Sequence, residues 1–336
     1  MVTRPHPPNR HFKSDLDSAA STSTAMTHFS LFSGSANPNL ANEVSRILDH
    51  PLSPCQTQVF PDGEISVRLD EAVRGHPVFI IQPTSPPVTN HVFELMLFAD
   101  ACRRAASGRV TAMVPYFGYA RSDKRHHRRE SIASSMIARC FQAAGLGHLV
   151  TVDLHSPQIE GFFHIPVEHL TAVPVLCDEL KGRLAPETVV VSPDEGRLEM
   201  ATRYAQRLGL SVAIVHKQRL SGMETRVVKI TGDVQDRPCL IIDDMIATGD
   251  TLARAMDALI KAGARPEFRI AATHGVLLEG ARGKLSRPAL REIIVTDSVT
   301  PHLTDWPELK VVSLAPLLAG AIHRLAARQS ISDLFE

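Results

Sequence analysis

The sequence has no surplus of either charge: 36 lysines and arginines balance 36 aspartates and glutamates over 336 residues. No global field therefore draws the protein toward nucleic acid or an anionic membrane, and any anion site has to be built locally. Aromatics are scarce at 5%, so the basic run RSDKRHHRR (121–129) lacks the interleaved rings of a nucleic-acid surface. There is no CxxC pair among the scattered, odd-numbered cysteines Cys55, Cys102, Cys140, Cys177 and Cys239. That pattern fits reduced thiols in the cytoplasm better than a disulfide framework or a structural zinc site. No apolar run reaches the roughly 18 residues a membrane span needs, and no GxxxxGK[ST] occurs, which removes a Walker phosphate loop.

What is present is an α/β pattern behind an atypical N-terminus. Residues 1–27 are rich in Pro, Ser, Thr and Asn, carry no continuous apolar stretch of the secretory kind, and are expected to be a disordered extension. Asp15 and Asp17 speak against a transit peptide, and Met26 offers an alternative start just before the first strand-like run. From residue 28 onward, short β-branched runs such as PVFIIQ (77–82), RVTAMVPY (109–116), HLVTVDL (148–154), TVVVS (188–192), SVAIVH (211–216), CLIID (239–243), FRIAATHG (268–275), EIIVTD (292–297) and LKVVSL (309–314) alternate with amphipathic segments. The helical ones are 91–106, 131–145, 197–209 and 251–264. Near-continuous apolar strands alternating with helices predict parallel sheets covered on both faces. Since a domain runs to about 150 residues, two such units are expected, with a boundary near residue 172.

Ligands of open parallel sheets sit beyond the carboxyl ends of the strands. His155 follows HLVTVDL, Asp194 stands in PDEGR after TVVVS, Lys217 and Arg219 follow SVAIV, and Asp243 and Asp244 close CLII. Each alone has an ordinary explanation as a turn initiator or a hydrogen-bonded loop residue; their coincidence at equivalent strand ends is what points to a site. The stretch CLIIDDMIATGDTLARA (239–255) is the most informative, because carboxylates repel anions while the following loop looks made for one. Ala247, Thr248, Gly249, Asp250 and Thr251 supply small side chains, two hydroxyls and successive backbone N–H groups before a helix expected near Leu252. Vicinal hydroxyls would suit the paired acids, so a sugar phosphate satisfies both halves.

The segment IIDDMIATGDT resembles the phosphoribosyl-binding loop of the type I phosphoribosyltransferase fold. Its surroundings resemble the ribose-phosphate diphosphokinase (PRPP synthetase) family: LFSGSANPNLA, FPDGEISVRL, VRGHPVFIIQPTS, PYFGYARSDKR, TVDLHSPQIEGFF, VVVSPDEG and RQSISDLF follow in family order from Phe29 to the C-terminus. The resemblance implies two phosphoribosyltransferase-like domains, 28–172 and 173–318, each a mostly parallel twisted sheet flanked by helices, with a tail, 319–336, packed back on the first. It implies transfer of the β,γ-diphosphoryl group of ATP to the anomeric hydroxyl of ribose 5-phosphate. Ribose 5-phosphate would then sit on Thr248–Thr251 and Ala247 with its hydroxyls toward Asp243 and Asp244. His155 and Asp194 would hold the nucleotide's Mg2+, His155 directly or through water, since this ion prefers oxygen. Arg121, in the basic run, would contact ATP phosphates with Ser122 and Asp123 beside it, and Lys217 and Arg219 would act catalytically on a closing loop. Phe60, Asp62 and Glu64 would reach the adenine site of a neighbouring subunit, implying a homo-oligomer with a shared active site.

Departures from the family pattern bear on specificity. Ser122 replaces a common Gln and His126 a common acid, which affects the purine pocket; Ala247 replaces an Asp, and Asp250 places a carboxylate in the phosphate loop, where it is expected to face solvent. Ser66, Arg68, Ser330 and Ser332 fall in segments matching a phosphate- and ADP-responsive regulatory site. Two other functions stay open on sequence grounds: a non-catalytic regulatory subunit of the same fold, and a phosphoribosyltransferase.

Overall fold

The computed structural model describes residues 28–125, 127–219, 225–303 and 305–335, of which 217–219, 225–228 and 335 are described as backbone only. The first half runs β1 (Ser30–Ser33), α1 (Pro38–Leu48), β2 (Cys55–Val59), β3 (Ile65–Leu69), β4 (Val78–Ile81), α2 (Val88–Arg104), β5 (Val110–Val114), α3 (Ala133–Ala144), β6 (His148–Val152) and β7 (Val167–Leu170). The second runs α4 (Val173–Leu180), β8 (Val189–Ser192), α5 (Leu198–Leu208), β9 (Ser211–Arg219), β10 (Thr225–Thr231), β11 (Cys239–Ile246), α6 (Asp250–Lys261), β12 (Phe268–Gly275), α7 (Ala281–Leu285), β13 (Leu290–Thr296), β14 (Leu309–Val312) and α8 (Ala315–Ala326).

Two parallel sheets result, as the alternating pattern requires. One has the order β1-β4-β5-β6-β7; the other has the order β10-β9-β8-β11-β12-β13-β14, with β10 antiparallel at its edge. The strands are apolar on both faces because both are covered. Val190 joins one apolar cluster while Val189 and Val191 join another, and Leu240 and Ile242 divide in the same way from Cys239 and Ile241, as the two-residue strand period dictates. The first of these clusters contains Leu31, Phe79 and Val150 from the five-stranded sheet together with Val190, Leu240 and Ala271 from the seven-stranded one. Burial shared between the sheets therefore fixes where their strand ends meet. Helix α8 packs on α1, and Ile331 and Leu334 beyond it enter the same cluster.

Several elements differ from the expectation. Strand β11 continues three residues past Asp243, because β12 pairs with it as far as Gly275. Both acids consequently lie inside a fully buried strand rather than beyond its end. Helix α6 starts at Asp250, two residues early. The periodicity also passed over α1, the separate two-stranded β2–β3 hairpin, β7, α4 and α8. No helix of the described residues is long and apolar enough to cross a membrane.

Candidate active site

Burying two adjacent carboxylates is costly unless cations and donors surround them. Asp243 and Asp244 are 8% and 1% exposed. Their partners come from two other strand ends. Arg197, in the 3-10 turn after β8, places Nε 3.1 Å from Asp244 Oδ1 and 3.6 Å from Asp243 Oδ1. His155, in the loop after β6, brings Nδ1 within 2.7 Å of Asp244 Oδ2. Arg197 Nη2 also lies 2.9 Å from that Nδ1 and 3.0 Å from the His155 carbonyl oxygen. A guanidinium only donates and a carboxylate only accepts, so one ring nitrogen cannot serve both. The arrangement that satisfies every group has Nδ1–H donating to Asp244 and Arg197 donating to the carbonyl. A neutral ring held this way keeps a lone pair on Nε2, the orientation metal-binding histidines take.

The two acids are driven apart. Burial, with the neighbouring charge of Asp244, raises the Asp243 carboxyl well above its ordinary value. Burial also works against Asp244, but the His155 hydrogen bond and the Arg197 charge prevail and hold it down to about 2. Asp244 is thus the ionised member of the pair.

Beyond Ile246 the chain turns through Gly249, whose φ of 77° is open to glycine at little cost. A Cβ there would stand 3.0 Å from Leu285 Cγ. The turn delivers the chain into α6, whose first N–H groups have no intrahelical acceptor and form a natural anion seat. Asp250 does not face this seat as a bare charge. Its Oδ2 accepts from Thr248 Oγ1 at 2.7 Å and from Lys284 Nζ at 2.8 Å, and the Lys284 hydrogen bond, aided by Thr248, lowers its pKa. The expectation of a solvent-facing carboxylate is thereby refined: the side chain is half exposed but neutralised by a lysine from α7.

Loop and acids line one cavity of about 170 Å3 with Arg121, His155, Asp194 and Arg197. A second cavity of about 750 Å3 shares those four residues and adds Asp123, Lys124 and Arg254. A small pocket with paired acids and a helix N-terminus thus adjoins a larger one lined by four cations, Arg121, Lys124, Arg197 and Arg254, and four acids, Asp123, Asp194, Glu195 and Asp250. Behind them, Asp153 adopts φ 39°, and its Oδ2 accepts from Ala172 N at 2.9 Å and Thr273 Oγ1 at 2.6 Å. His274 Nε2 lies 3.1 Å from the Asp153 carbonyl. These bonds tie the end of β6 to β12 and so hold His155 opposite Asp244.

Other residues expected at the site are placed differently. Ser122 turns away from both cavities: its hydroxyl accepts from Ala133 N at 3.2 Å and its carbonyl from Ser134 Oγ at 2.8 Å, holding the start of α3. Phe60, Asp62 and Glu64 form the tip of the β2–β3 hairpin, with Asp62 Oδ1 accepting from Glu64 N at 3.1 Å, and line neither cavity. Lys217 and Arg219 lie on β9, where their backbones pair with Val227 and Thr225; their side chains, and the whole of His126, fall outside the described residues. Arg197 was missed as a site residue. Two buried acids require a cation to face them, but that the arginine of PDEGR is the one that does so is set by tertiary approach.

Residues 29–145 match the family model described as the N-terminal domain of ribose phosphate pyrophosphokinase, and residues 222–336 match that of the phosphoribosyl synthetase-associated domain. Over 309 residues the chain is 43% identical to the ribose-phosphate pyrophosphokinase of Maricaulis maris, covering 91% of this chain and 99% of the relative. The chain belongs to the ribose-phosphate pyrophosphokinase family. A second member, from Corynebacterium efficiens, is 42% identical over 310 residues, covering 91% of this chain and 95% of the relative. Among solved structures, the phosphoribosylpyrophosphate synthetase from Mycobacterium smegmatis superposes with a TM-score of 0.83 at 39% identity, covering 89% of this chain and 98% of that one. The ribose-phosphate pyrophosphokinase fold therefore extends over both sheets, the acid pair and the loop included.

Proposed function

We propose that the chain is an active ribose-phosphate diphosphokinase, and the observation that carries this is the joining of two unlike cavities at Arg121, His155, Asp194 and Arg197. Ribose 5-phosphate occupies the smaller one. Its phosphate takes the N–H groups and hydroxyls of Thr248–Thr251, and its hydroxyls donate to Asp244, the ionised and stronger acceptor, and to a carboxyl oxygen of Asp243. ATP occupies the larger cavity, its phosphates near Arg121 and its base toward Asp123 and the hairpin tip of a neighbouring copy. The exposure of Val59 and Phe60, 61% and 39%, supports a homo-oligomeric contact there. The anomeric oxygen forms a bond to the β-phosphorus, the bond from that phosphorus to the bridging oxygen breaks with its electrons passing to AMP, and the anomeric proton is released. Such transfers depend on in-line positioning and charge neutralisation more than on a strong base. Lys217 and Arg219, at the end of β9, supply that charge and exclude water.

The donor set fits Mg2+. Among the described residues no group of three or more His, Cys, Asp or Glu is placed to hold a metal ion, whereas His155 and Asp194 share the wall of both cavities. Magnesium commonly binds through one or two protein groups, substrate phosphates and water. His155 and Asp194 would hold such an ion, which when bound neutralises phosphate charge. The domains follow as 28–172 and 173–318, with 319–336 as the tail. A reducing compartment suits Cys102, Cys177 and Cys239, whose thiols burial pushes up to about 12.

The test is AMP release from the purified chain alone with magnesium, ribose 5-phosphate and, in turn, ATP, dATP, GTP and CTP. AMP is expected only when the sugar phosphate is present. A folded protein silent with every donor would overturn the proposal in favour of a non-catalytic subunit, and a requirement for a nitrogenous base with release of pyrophosphate would establish a phosphoribosyltransferase.

A further inference from the structure

Two buried carboxylates beside a phosphate seat form a strong donor pair for a divalent cation. Here a side chain already stands against them. Arg197 is 13% exposed, reaches both acids through Nε, and is anchored at its other end on the His155 carbonyl. We infer that Arg197 is a tethered cation that replaces a divalent metal at the acid pair, so that ribose 5-phosphate binds this site without magnesium.

Three observations carry the inference. A guanidinium is permanently charged and more weakly hydrated than an ammonium, which suits it to a site with little water. Arg197 projects from the turn immediately after Asp194, so one short segment, PDEGR, supplies a metal-binding carboxylate to the nucleotide half and a fixed positive charge to the sugar half. The acids also keep room for a ligand. Each ionised carboxylate has about four acceptor positions, and Asp244 uses one for His155 and one for Arg197. The hydroxyls of the sugar therefore need not displace the arginine. Magnesium is left with one task, at His155, Asp194 and the nucleotide phosphates. Arg197 acts as a positioning residue, through the two acids and His155.

The inference rests on the assignment of ribose 5-phosphate to the smaller cavity, and calorimetric titration separates the two. Ribose 5-phosphate is titrated into the wild-type chain in EDTA and again in excess magnesium, without nucleotide. The two affinities are expected to agree within about twofold. In Arg197→Gly and in Arg197→Gln, which retains more bulk, binding in EDTA is expected to fall about tenfold or more, the scale of a lost hydrogen bond to a charged group, and magnesium is expected to restore it. Wild-type binding that collapses in EDTA overturns the inference even if both variants fail to fold, as circular dichroism would reveal. So do folded variants that bind normally in EDTA, or that stay weak in magnesium. Absence of binding to the wild type under both conditions instead removes the sugar-phosphate assignment, and the inference with it.

Discussion

Asp244 and Asp297 lie at the same edge of the same sheet, one near the end of β11 and the other one residue past β13, yet their surroundings pull them in opposite directions. Asp244 faces a histidine and an arginine and is held down to about 2. Asp297 receives Leu314 N at 2.7 Å and Ser313 Oγ at 2.7 Å, while its carbonyl takes Asn37 Nδ2 at 2.7 Å; burial outweighs these bonds and pushes its carboxyl up to about 6. The first is an acceptor kept ionised for a ligand, and the second fastens the start of α8 to the loop before α1. In sequence, IIDD and IVTD look alike. What separates them is which charge the other sheet and the neighbouring turns bring across.

Removing the charge of Asp244 breaks the comparison most severely. Asp244→Asn is expected to weaken ribose 5-phosphate binding by about 10- to 100-fold, the scale of charge-assisted hydrogen bonds, while ATP binding changes by less than about threefold. Separate titrations with each ligand decide it. An equal loss of both would sink the diol assignment.

The opposite carboxylates also predict opposite pH windows. A folded pKa raised above the ordinary value means that protonated Asp297 contributes stability fully present below about pH 4 and lost as pH rises through about 6. Asp244 contributes stability present above about pH 4 and lost as pH falls through about 2. Urea unfolding curves of wild type and Asp297→Asn are therefore expected to diverge between pH 4 and 6. The difference in slope should approach about 1.4 kcal/mol per pH unit, and parallel curves would show that Asp297 titrates normally.

These two acids also mark how far the sequence could be read. Strand runs such as FRIAATHG and CLIID were legible because covered parallel strands are apolar throughout, and the anion loop was legible because small residues and hydroxyls before a helix have few other uses. The β2–β3 hairpin was not, since its exposed and half-exposed residues carry no run of core positions. Helix α8, APLLAGAIHRLA, is so apolar that its periodicity is blurred by burial against α1. Arg197 and Lys284 were hidden for a different reason: a cation is assigned to an acid by tertiary approach, and nothing in the spacing from Arg197 to Asp244 or from Asp250 to Lys284 encodes it.

The helix starts that follow the two acids sharpen the contrast at lower cost. Asp297 fixes the start of α8 through side-chain acceptors, whereas the start of α6 depends on Gly249 at φ 77°. Gly249→Ala meets both the left-handed conformation and Leu285, and is expected to cost about 1–2 kcal/mol in urea unfolding and to raise KM for ribose 5-phosphate. An unchanged stability would mean that the loop and α7 shift apart freely.

The smallest effect is expected at Asp250, which sits in the loop itself and would be the most damaging residue there if its charge faced the ligand. Its carboxylate is half exposed, paired with Lys284 and bonded to Thr248. Exposed pairs of this kind contribute about 0–1 kcal/mol, so Asp250→Asn should scarcely move the unfolding midpoint. Asp250→Asn leaves Lys284 uncompensated at the edge of the seat, so ribose 5-phosphate affinity should rise, but by less than about threefold because the pair is half exposed and screened by solvent. A tenfold tightening would mean that the carboxylate had been repelling the phosphate, and that the lysine is drawn away when the sugar binds. Asp244 and Asp250, six positions apart, then differ in the same way as Asp244 and Asp297: the partner supplied by the fold decides whether a carboxylate takes part in binding.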